Sequence, residues 1–359
     1  MFYPECSSEL FNELLSKFNG SKNNSDTEIE QLKVFTGKRV LITGAAGSIG
    51  SEISKKVSSL KPDAIALLDI NESGLNDLKF ELQDQTELKI KIYLCDVSRE
   101  DSLRNVFLNF KPDIVFHVAA YKHIHILENF PEEALRVNIL GTFKIASLSM
   151  EFNVSKFVFI STDKAVNPIS IMGKSKRAAE IILNRFSKRN KTDFIIARLC
   201  NVIGSRGSVS EIFIRQIIKG GPVTLTHPEM IRYFITLPQA ACLALKAAEF
   251  GENGCVYIPR MENAIKITEL LNELIMRFSS TSINKPKVII TGTREGEKLS
   301  EELWTSIESN YLKAINGFIK VDNNFTWDDN LDDLNSFSVF DKSEYVSVKN
   351  LLFNSIDLN

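Results

Sequence analysis

Arg39-Val-Leu-Ile-Thr43-Gly44-Ala-Ala-Gly47-Ser-Ile-Gly50 decides the fold of this chain. A short apolar run rich in strand formers ends at a glycine triplet, and the residues from Ser48 to Ser59 continue with helical spacing. Glycines at a strand-to-helix junction allow a tight turn and let backbone N–H groups approach a pyrophosphate at the positive end of the helix. A glycine triplet alone is weak evidence, and its position between a strand and a helix is what gives it meaning. Gly44, Gly47, Ser48, Ile49 and Gly50 are therefore assigned to a dinucleotide cofactor. Asp69 lies nineteen residues beyond Gly50 at the end of the next apolar run. A carboxylate there can accept from both hydroxyls of an adenosine ribose and would repel a 2′-phosphate, which favours NAD over NADP. Asp96, after the third strand, is placed to reach the adenine. The plain alternative for both acids is helix capping.

Outward from this loop the pattern stays regular. Strands are predicted at Ala64–Leu68, Lys89–Leu94, Asp113–His117, Lys156–Ile160 and Phe194–Arg198. Helices are predicted through Leu75, Leu78 and Leu82, from Pro131 to about Glu151, and over Met172–Phe186. Strands alternating with helices predict an α/β protein with a Rossmann-type, doubly wound parallel sheet. The rhythm loosens after Arg198, where Gly204-Ser-Arg-Gly207 and Gly220-Gly-Pro222 mark loops. The expected division is an N-terminal helix and linker over 1–36, a cofactor domain over 37–200 and a smaller, less regular substrate lobe over 201–310 with elements returning to the main sheet. A helical extension over 311–359 follows, with two short segments around Asp328–Asp333.

The chain has 359 residues, a 44% hydrophobic and 25% charged composition and a net charge of −2. These are the values of an ordinary globular protein, without the basic field that draws in nucleic acid or anionic lipid. Cys6, Cys95, Cys200, Cys242 and Cys255 are odd in number and widely spaced, as expected of reduced thiols in a cytoplasmic protein. No apolar run reaches the roughly 18 residues of a membrane span, and the first residues do not read as a signal peptide. Ser7–Phe18 reads as an amphipathic helix with Leu10, Phe11, Leu14, Leu15 and Phe18 on one face. Its polar face, Glu9, Glu13 and Lys17, suits packing on protein better than lying on lipid. Gly20–Asp26 reads as a linker.

A second stretch carries the chemistry: Ser161-Thr-Asp-Lys-Ala-Val-Asn-Pro-Ile-Ser-Ile-Met172-Gly-Lys-Ser-Lys176. It has the layout of a Ser/Thr strand end followed by a helix carrying Tyr-x-x-x-Lys, with Met172 in the Tyr position and an added Asp163-Lys164 pair. A thioether cannot take a proton from an alcohol. Either the site is silent or its acid–base work falls to Asp163 and Lys164, an acid beside a base, as an elimination of water requires.

With these residues placed, the chain resembles the extended short-chain dehydrogenases/reductases, and within them the bacterial UDP-N-acetylglucosamine 4,6-dehydratases of polysaccharide biosynthesis. The resemblance rests on the glycine loop, His117-Val-Ala-Ala-Tyr-Lys-His123, Ser161–Pro168, Met172-Gly-Lys-Ser-Lys176, Gly204-Ser-Arg-Gly-Ser208, His227-Pro-Glu-Met-Ile-Arg-Tyr-Phe234 and Gly296-Glu-Lys-Leu299. A Met in the Tyr position occurs in one branch of that family. Long members of the branch carry transmembrane helices ahead of the catalytic domain, and this chain resembles a soluble form. It departs from the family pattern at Tyr121, His125, Cys200 and Glu295.

The resemblance implies an internal redox cycle on a UDP-N-acetylhexosamine. Hydride leaves the sugar C4 for NAD+, the resulting ketone acidifies C5–H, water is lost across C5–C6, and hydride returns to C6. Lys164 is then the C5 base. A free lysine is protonated at neutral pH, with a reference pKa of about 10.4, so this role needs surroundings that release its proton. Asp163 is the acid for the departing hydroxyl, Thr162 bonds the C4 oxygen, and Lys176 holds the nicotinamide ribose. The base for the C4 hydroxyl is left open between Asp163 and a water relay. Val97, Ala119, Ala120 and Asn138 fall on the cofactor side. Lys122, His123, Asn201, Arg206, Arg232, Arg294 and Glu297 match nucleotide-sugar positions, and arginine forks suit a diphosphate. C5 is expected to keep its configuration, and a homodimer or higher homo-oligomer is the superfamily expectation. His117, His123 and His125 are close in sequence, yet no Cys or second carboxylate completes a metal set. The competing readings are a UDP-sugar 4-epimerase, which needs no Asp-Lys pair and normally keeps the Tyr, and a silent NAD-binding protein.

Overall fold

The computed structural model describes residues 8–19, 29–84, 88–189, 191–261, 263–279, 286–315 and 317–323. Strand β1 (Arg39–Thr43) sends Val40 and Ile42 to one face of its sheet and Leu41 to the other, and all three are buried. A strand apolar on both faces needs helices on both sides. It pairs in parallel with β2 (Ala64–Asp69) and β4 (Ile114–His117). From there the sheet runs outward to β3 (Lys89–Leu94) on one side. On the other side it runs through β5 (Lys156–Thr162), β6 (Asp193–Leu199), β11 (Val256–Pro259), β15 (Phe318–Val321) and β14 (Leu312–Ile315), nine strands in all. The seven from β3 to β11 are parallel, and β15 and β14 are antiparallel. The fold is thus the doubly wound Rossmann-type sheet that the strand and helix periods predicted.

Helices α2 (Ser48–Ser58), α3 (Glu72–Gln83) and α8 (Leu237–Phe250) cover one face through Ile53, Leu75 and Leu245. Helices α4 (Glu100–Phe110), α5 (Thr142–Glu151) and α6 (Ile171–Ser187) cover the other through Phe107, Ile145 and Ile182. The order of connection reverses between β1 and β4, and a crevice opens there above the carboxyl ends of the strands. Helix α4 was not anticipated, although Leu103, Val106, Phe107 and Phe110 recur at helical spacing and are all buried. Helix α5 is preceded by a π-helical stretch, Ala134–Gly141, whose wider turn carries Asn138.

The smaller lobe is built from short pairings: β7 (Asn201–Val202) with β10 (Phe234–Ile235), β9 (Ile231–Arg232) with β12 (Ile265–Lys266), and β8 (Val223–Leu225) with β13 (Val288–Ile290). Helices α7 (Val209–Ile218) and α9 (Ile267–Phe278) share a core with α1 (Ser8–Asn19). The amphipathic face of α1 is thus buried on this chain. Phe11, Leu14 and Leu15 enter the core, while Glu13 pairs with Arg277 and Lys17 with Glu273.

The elements that return from the lobe to the main sheet are α8 and β11, and the β14–β15 pair beyond residue 310 joins them. One expectation differs from the structure. Residues 312–315 and 318–321, in the stretch expected to be helical, form two antiparallel strands, with Phe318 and Val321 buried on opposite faces of the sheet. The hairpin is led in by Glu308, which together with Glu180 encloses the fully buried Arg198 guanidinium. Burial alone would raise the Glu308 carboxyl, and Arg198 and Arg177 more than reverse this and hold it well below the usual carboxylate range. The linker at Gly20–Asp26 and the segments around Asp328–Asp333 lie outside the described residues.

Candidate functional site

The glycine loop has no room for side chains. Gly44 has φ +65°, and a Cβ there would lie 2.6 Å from the Ala119 nitrogen. A Cβ on Gly50 would lie 2.1 Å from the Gly44 carbonyl oxygen. Gly47 is the N-cap of α2 and no side chain caps it, so the first N–H groups of α2, at Ser48 and Ile49, are left for a phosphate. Asp69 Oδ2 accepts from Ala46 N–H at 2.9 Å and Oδ1 from Asn71 N–H at 3.0 Å. Asn71, not Asp69, caps α3, so the capping alternative for Asp69 does not hold. This donor set fits a dinucleotide: three positions without Cβ, an uncapped helix end and a carboxylate at the tip of β2.

The other cofactor-side residues divide. Thr43 Oγ1 accepts from Val118 and Ala119 N–H and bonds His117, which ties Ala119 and Ala120 beside Gly44. His117 is fully buried, and burial with Lys176 nearby pushes its imidazole down to about 3. It is a core group rather than a ligand. Asp96 caps no helix either; its carboxylate accepts from Ser98 and from Arg136 at 2.6 Å. Both of its oxygens serve the wall formed with Val97, as those of Asp69 serve Ala46 and Asn71. Asn138 is corrected: it is 1% exposed and its amide is taken by both backbone groups of Tyr121 and by Ser175 Oγ. It fixes the 119–123 loop from behind.

The acid–base residues converge at the ends of β5 and β6. Asp163 is fully buried; Oδ1 accepts from Thr162 Oγ1 at 2.8 Å and Lys164 Nζ at 2.9 Å, and Oδ2 has no partner among the described residues. Lys164 Nζ also donates to Asn201 Oδ1 at 3.1 Å. An unsatisfied buried carboxylate oxygen costs on the order of 1–3 kcal/mol or more, and such sites are where functional groups concentrate. Lys176 is buried with Nζ 4.0 Å from the centroid of the Phe159 ring. Burial outweighs the nearby Glu180 and pushes its ammonium down to about 7. Met172 is 4% exposed and packs with Leu127 and Ala134, beside Tyr121 and Ile124. It is a packing residue under the 121–127 turn rather than a group facing the reaction.

The nucleotide-sugar set is likewise divided. Lys122 Nζ donates to the Arg206 carbonyl at 2.6 Å, Arg206 N–H donates to Ser48 Oγ at 3.0 Å, and the space over Gly207 is filled by His123, 2.7 Å from where a Cβ would lie. The exposed Arg206 lines one cavity with Ala46 and Ser48 of the glycine loop. Arg232 is 7% exposed, and its fork is filled by the carbonyls of Ile231, Lys298 and Leu299. The expected diphosphate contact is corrected: Arg232 clamps the 298–301 segment. Arg294 is exposed, and Glu297 closes its turn by accepting from Arg294 N–H at 3.4 Å. Gly296 packs that turn against Glu128 and Ser170, 2.8 and 2.9 Å from where its Cβ would be.

The clamp brings in a residue that the sequence reading missed. Glu301 has a 3% exposed side chain, with Oε1 3.9 Å from Lys164 Nζ and 3.7 Å from Arg232 Nη2, and Oε2 without a partner. Its only signal was an acid two residues past the matched run Gly296–Leu299, and a Glu301-Glu302 pair otherwise reads as solvated surface.

These features define a protein with the extended short-chain dehydrogenase/reductase fold and a dinucleotide cradle next to a buried acid–base cluster. The chain belongs to the polysaccharide biosynthesis protein family, whose pattern matches residues 40–322. It is 45% identical over 271 residues to the capsular polysaccharide biosynthesis protein CapD of Staphylococcus aureus, a match covering 75% of this chain and 45% of CapD. The chain therefore spans about half the length of that relative. It is 34% identical over 297 residues to a UDP-glucose 4-epimerase of Rickettsia bellii (strain OSU 85-389), covering 80% of this chain and 84% of the epimerase. Among solved structures, Pen from Bacillus thuringiensis superposes with a TM-score of 0.76 at 30% identity, covering 82% of this chain and 89% of Pen. No helix among the described residues is long and apolar enough to cross a membrane, and no cluster of His, Cys, Asp or Glu among them has the makings of a metal site.

Proposed function

We propose that this chain is an NAD-dependent nucleotide-sugar 4,6-dehydratase that converts UDP-N-acetylglucosamine to a UDP-4-keto-6-deoxy-N-acetylhexosamine for surface polysaccharide synthesis. The observation that carries this reading is the Asp163–Lys164 pair, a buried carboxylate on a partly exposed lysine that also bonds Asn201, with the helix position that would hold a tyrosine filled by a packed methionine. A site that only moved hydride at C4 has no use for a second acid–base pair. The cofactor supplies a reversible hydride acceptor. Gly44, Gly47, Gly50 and the start of α2 hold its pyrophosphate, and Asp69 accepts from the adenosine ribose. Lys176 holds the nicotinamide ribose and lends positive charge when protonated. Thr162 orients the C4 oxygen. Lys164 removes the C5 proton once that carbon stands next to a ketone, and Asp163 gives a proton to the departing C6 hydroxyl. A single base working from one side returns the proton where it was taken, so C5 keeps its configuration.

A 4-epimerase is the second reading, favoured by the identity to the Rickettsia bellii protein. Mass spectrometry of UDP-N-acetylglucosamine incubated with the purified chain separates the two. Loss of one water supports dehydration, whereas an isomer of unchanged mass overturns it. Proton NMR of fresh product reads the C5 configuration. The described cysteines are free and buried, which agrees with a reducing cytoplasmic setting.

A further inference from the structure

Lys164 poses a problem for the reading above, on which this inference rests. As placed, its Nζ donates to Asp163 Oδ1 and Asn201 Oδ1. An ammonium has no lone pair with which to take a carbon-bound proton. Its side chain is 18% exposed and lies between two carboxylates, so its proton needs a local acceptor. Asp163 lies nearer, at 2.9 Å, but in that reading it already carries the proton meant for the departing C6 hydroxyl. Glu301 is the other carboxylate in reach.

We infer that Glu301 exchanges a proton with Lys164 and holds it while Lys164 works as a free amine. The N–H bond of the ammonium breaks and an O–H bond forms on Glu301, so an ion pair becomes a neutral acid and a neutral amine, with no change in net charge. Neutral pairs are the cheaper state where water is excluded. The geometry is suited to this. Glu301 Oε1 stands 3.9 Å from Nζ, one small side-chain adjustment from hydrogen-bond length, and Oε2 is buried without a donor. Burial raises the Glu301 carboxyl, Asp163 adds to this, and Lys164, Arg232 and Lys298 oppose it. From the β6 side the cluster is faced by Cys200, whose thiol burial and Asp163 keep protonated. Arg232 bonds the Lys298 and Leu299 carbonyls and so delivers Glu301 to the lysine. Its own guanidinium is 3.7 Å from the carboxylate, so neither neighbouring cation is at direct hydrogen-bond length.

The test reads Lys164 directly. The chain is acylated with acetic anhydride across a pH series without substrate, and the Lys164 peptide is quantified by mass spectrometry. Proton sharing lets the amine react below its main titration, so the wild-type profile rises in two steps with a plateau between them. Glu301→Gln keeps the shape and loses the proton site, and its profile has one step; Glu301→Asp keeps two. A one-step wild-type profile overturns the inference, also in the event that Glu301→Gln does not fold. Turnover adds a second reading: the Gln variant falls by about 100-fold and the Asp variant retains more than the Gln variant, whereas a purely structural role reverses that order and overturns the inference. Water loss by the wild type decides the dehydratase reading separately, because the acylation profile needs no substrate.

Discussion

The two halves of the crevice are built on opposite principles. At the cofactor end, recognition is made by backbone: two glycines without room for a Cβ, an uncapped helix start, and a carboxylate whose oxygens accept from backbone N–H groups. At the acid–base end it is made by side chains brought from three distant segments. There, two buried carboxylates, Asp163 and Glu301, each keep one oxygen without a partner next to the same lysine. The first arrangement is fixed in shape by backbone before anything binds and serves to hold. The second carries unmet polar demand, which is what a group that must trade protons needs.

Removing the lysine breaks the side-chain half most completely. Lys164→Ala takes away the C5 base and leaves two carboxylates facing each other. We expect turnover to fall by about three to four orders of magnitude with the bound nucleotide retained. Slow growth of reduced-nicotinamide absorbance on adding substrate shows that C4 oxidation survives. Wild-type turnover would remove Lys164 from its assigned role.

The backbone half should break in the opposite way. Gly50→Ala places a methyl 2.1 Å from the Gly44 carbonyl oxygen, inside a loop whose own backbone blocks retreat. Nucleotide affinity is expected to drop by about 100-fold, equivalent to about 2.7 kcal/mol, with the Asp163–Lys164 pair undisturbed. The nucleotide released from the denatured wild type should be NAD. NADP as the main species would contradict the role given to Asp69.

This division also explains how much of the molecule was legible in the sequence. The strands from β1 to β6 and the helices after β1 and β5 lay within a residue or two of expectation because local period and glycine placement determine them. Asp163, Lys164 and Lys176 were legible because they sit in one stretch around a strand end. Arg232 and Glu301 were not, because what decides their roles is a contact between β9 and a segment some seventy residues later. An arginine in a motif looks the same whether its fork meets a diphosphate or three carbonyls. The hairpin at Leu312–Val321 was missed for a related reason: its pairing partner, β11, is distant in sequence.

Lys176 stands where the two halves meet, and its burial gives a pH signature. Its native ammonium titrates at about 7, below the ordinary lysine value of 10.5. Between those values the unfolded chain binds the proton that the native chain has lost, so native stability rises with pH across that window and is level below it. The cofactor-free chain should therefore gain on Lys176→Met by up to about 1.4 kcal/mol per pH unit over that range. Denaturant unfolding of both proteins at several pH values measures the gap. A gap that stays constant would mean that the lysine finds water or a partner in solution.

The smallest effect is expected at the position that first made the sequence unusual. Met172 begins the helix that carries Lys176, yet its side chain lies among Leu127, Ala134 and Ile124, and it is 4% exposed. Its part is to seat the 121–127 turn, and through it Tyr121, whose backbone is bonded on both sides by Asn138. Leucine has nearly the same volume, so Met172→Leu should cost less than about 1.5 kcal/mol and leave turnover within a few-fold. Met172→Ala leaves a cavity and should cost about 2–5 kcal/mol of stability, again with little loss of turnover in the chains that remain folded. The two variants together separate packing from chemistry: if packing is the role, stability falls from Met to Leu to Ala while turnover per folded molecule stays nearly level. A collapse of turnover in Met172→Leu, with the nucleotide still bound and the unfolding midpoint unchanged, would place the thioether in the reaction and move the boundary between the two halves of the site.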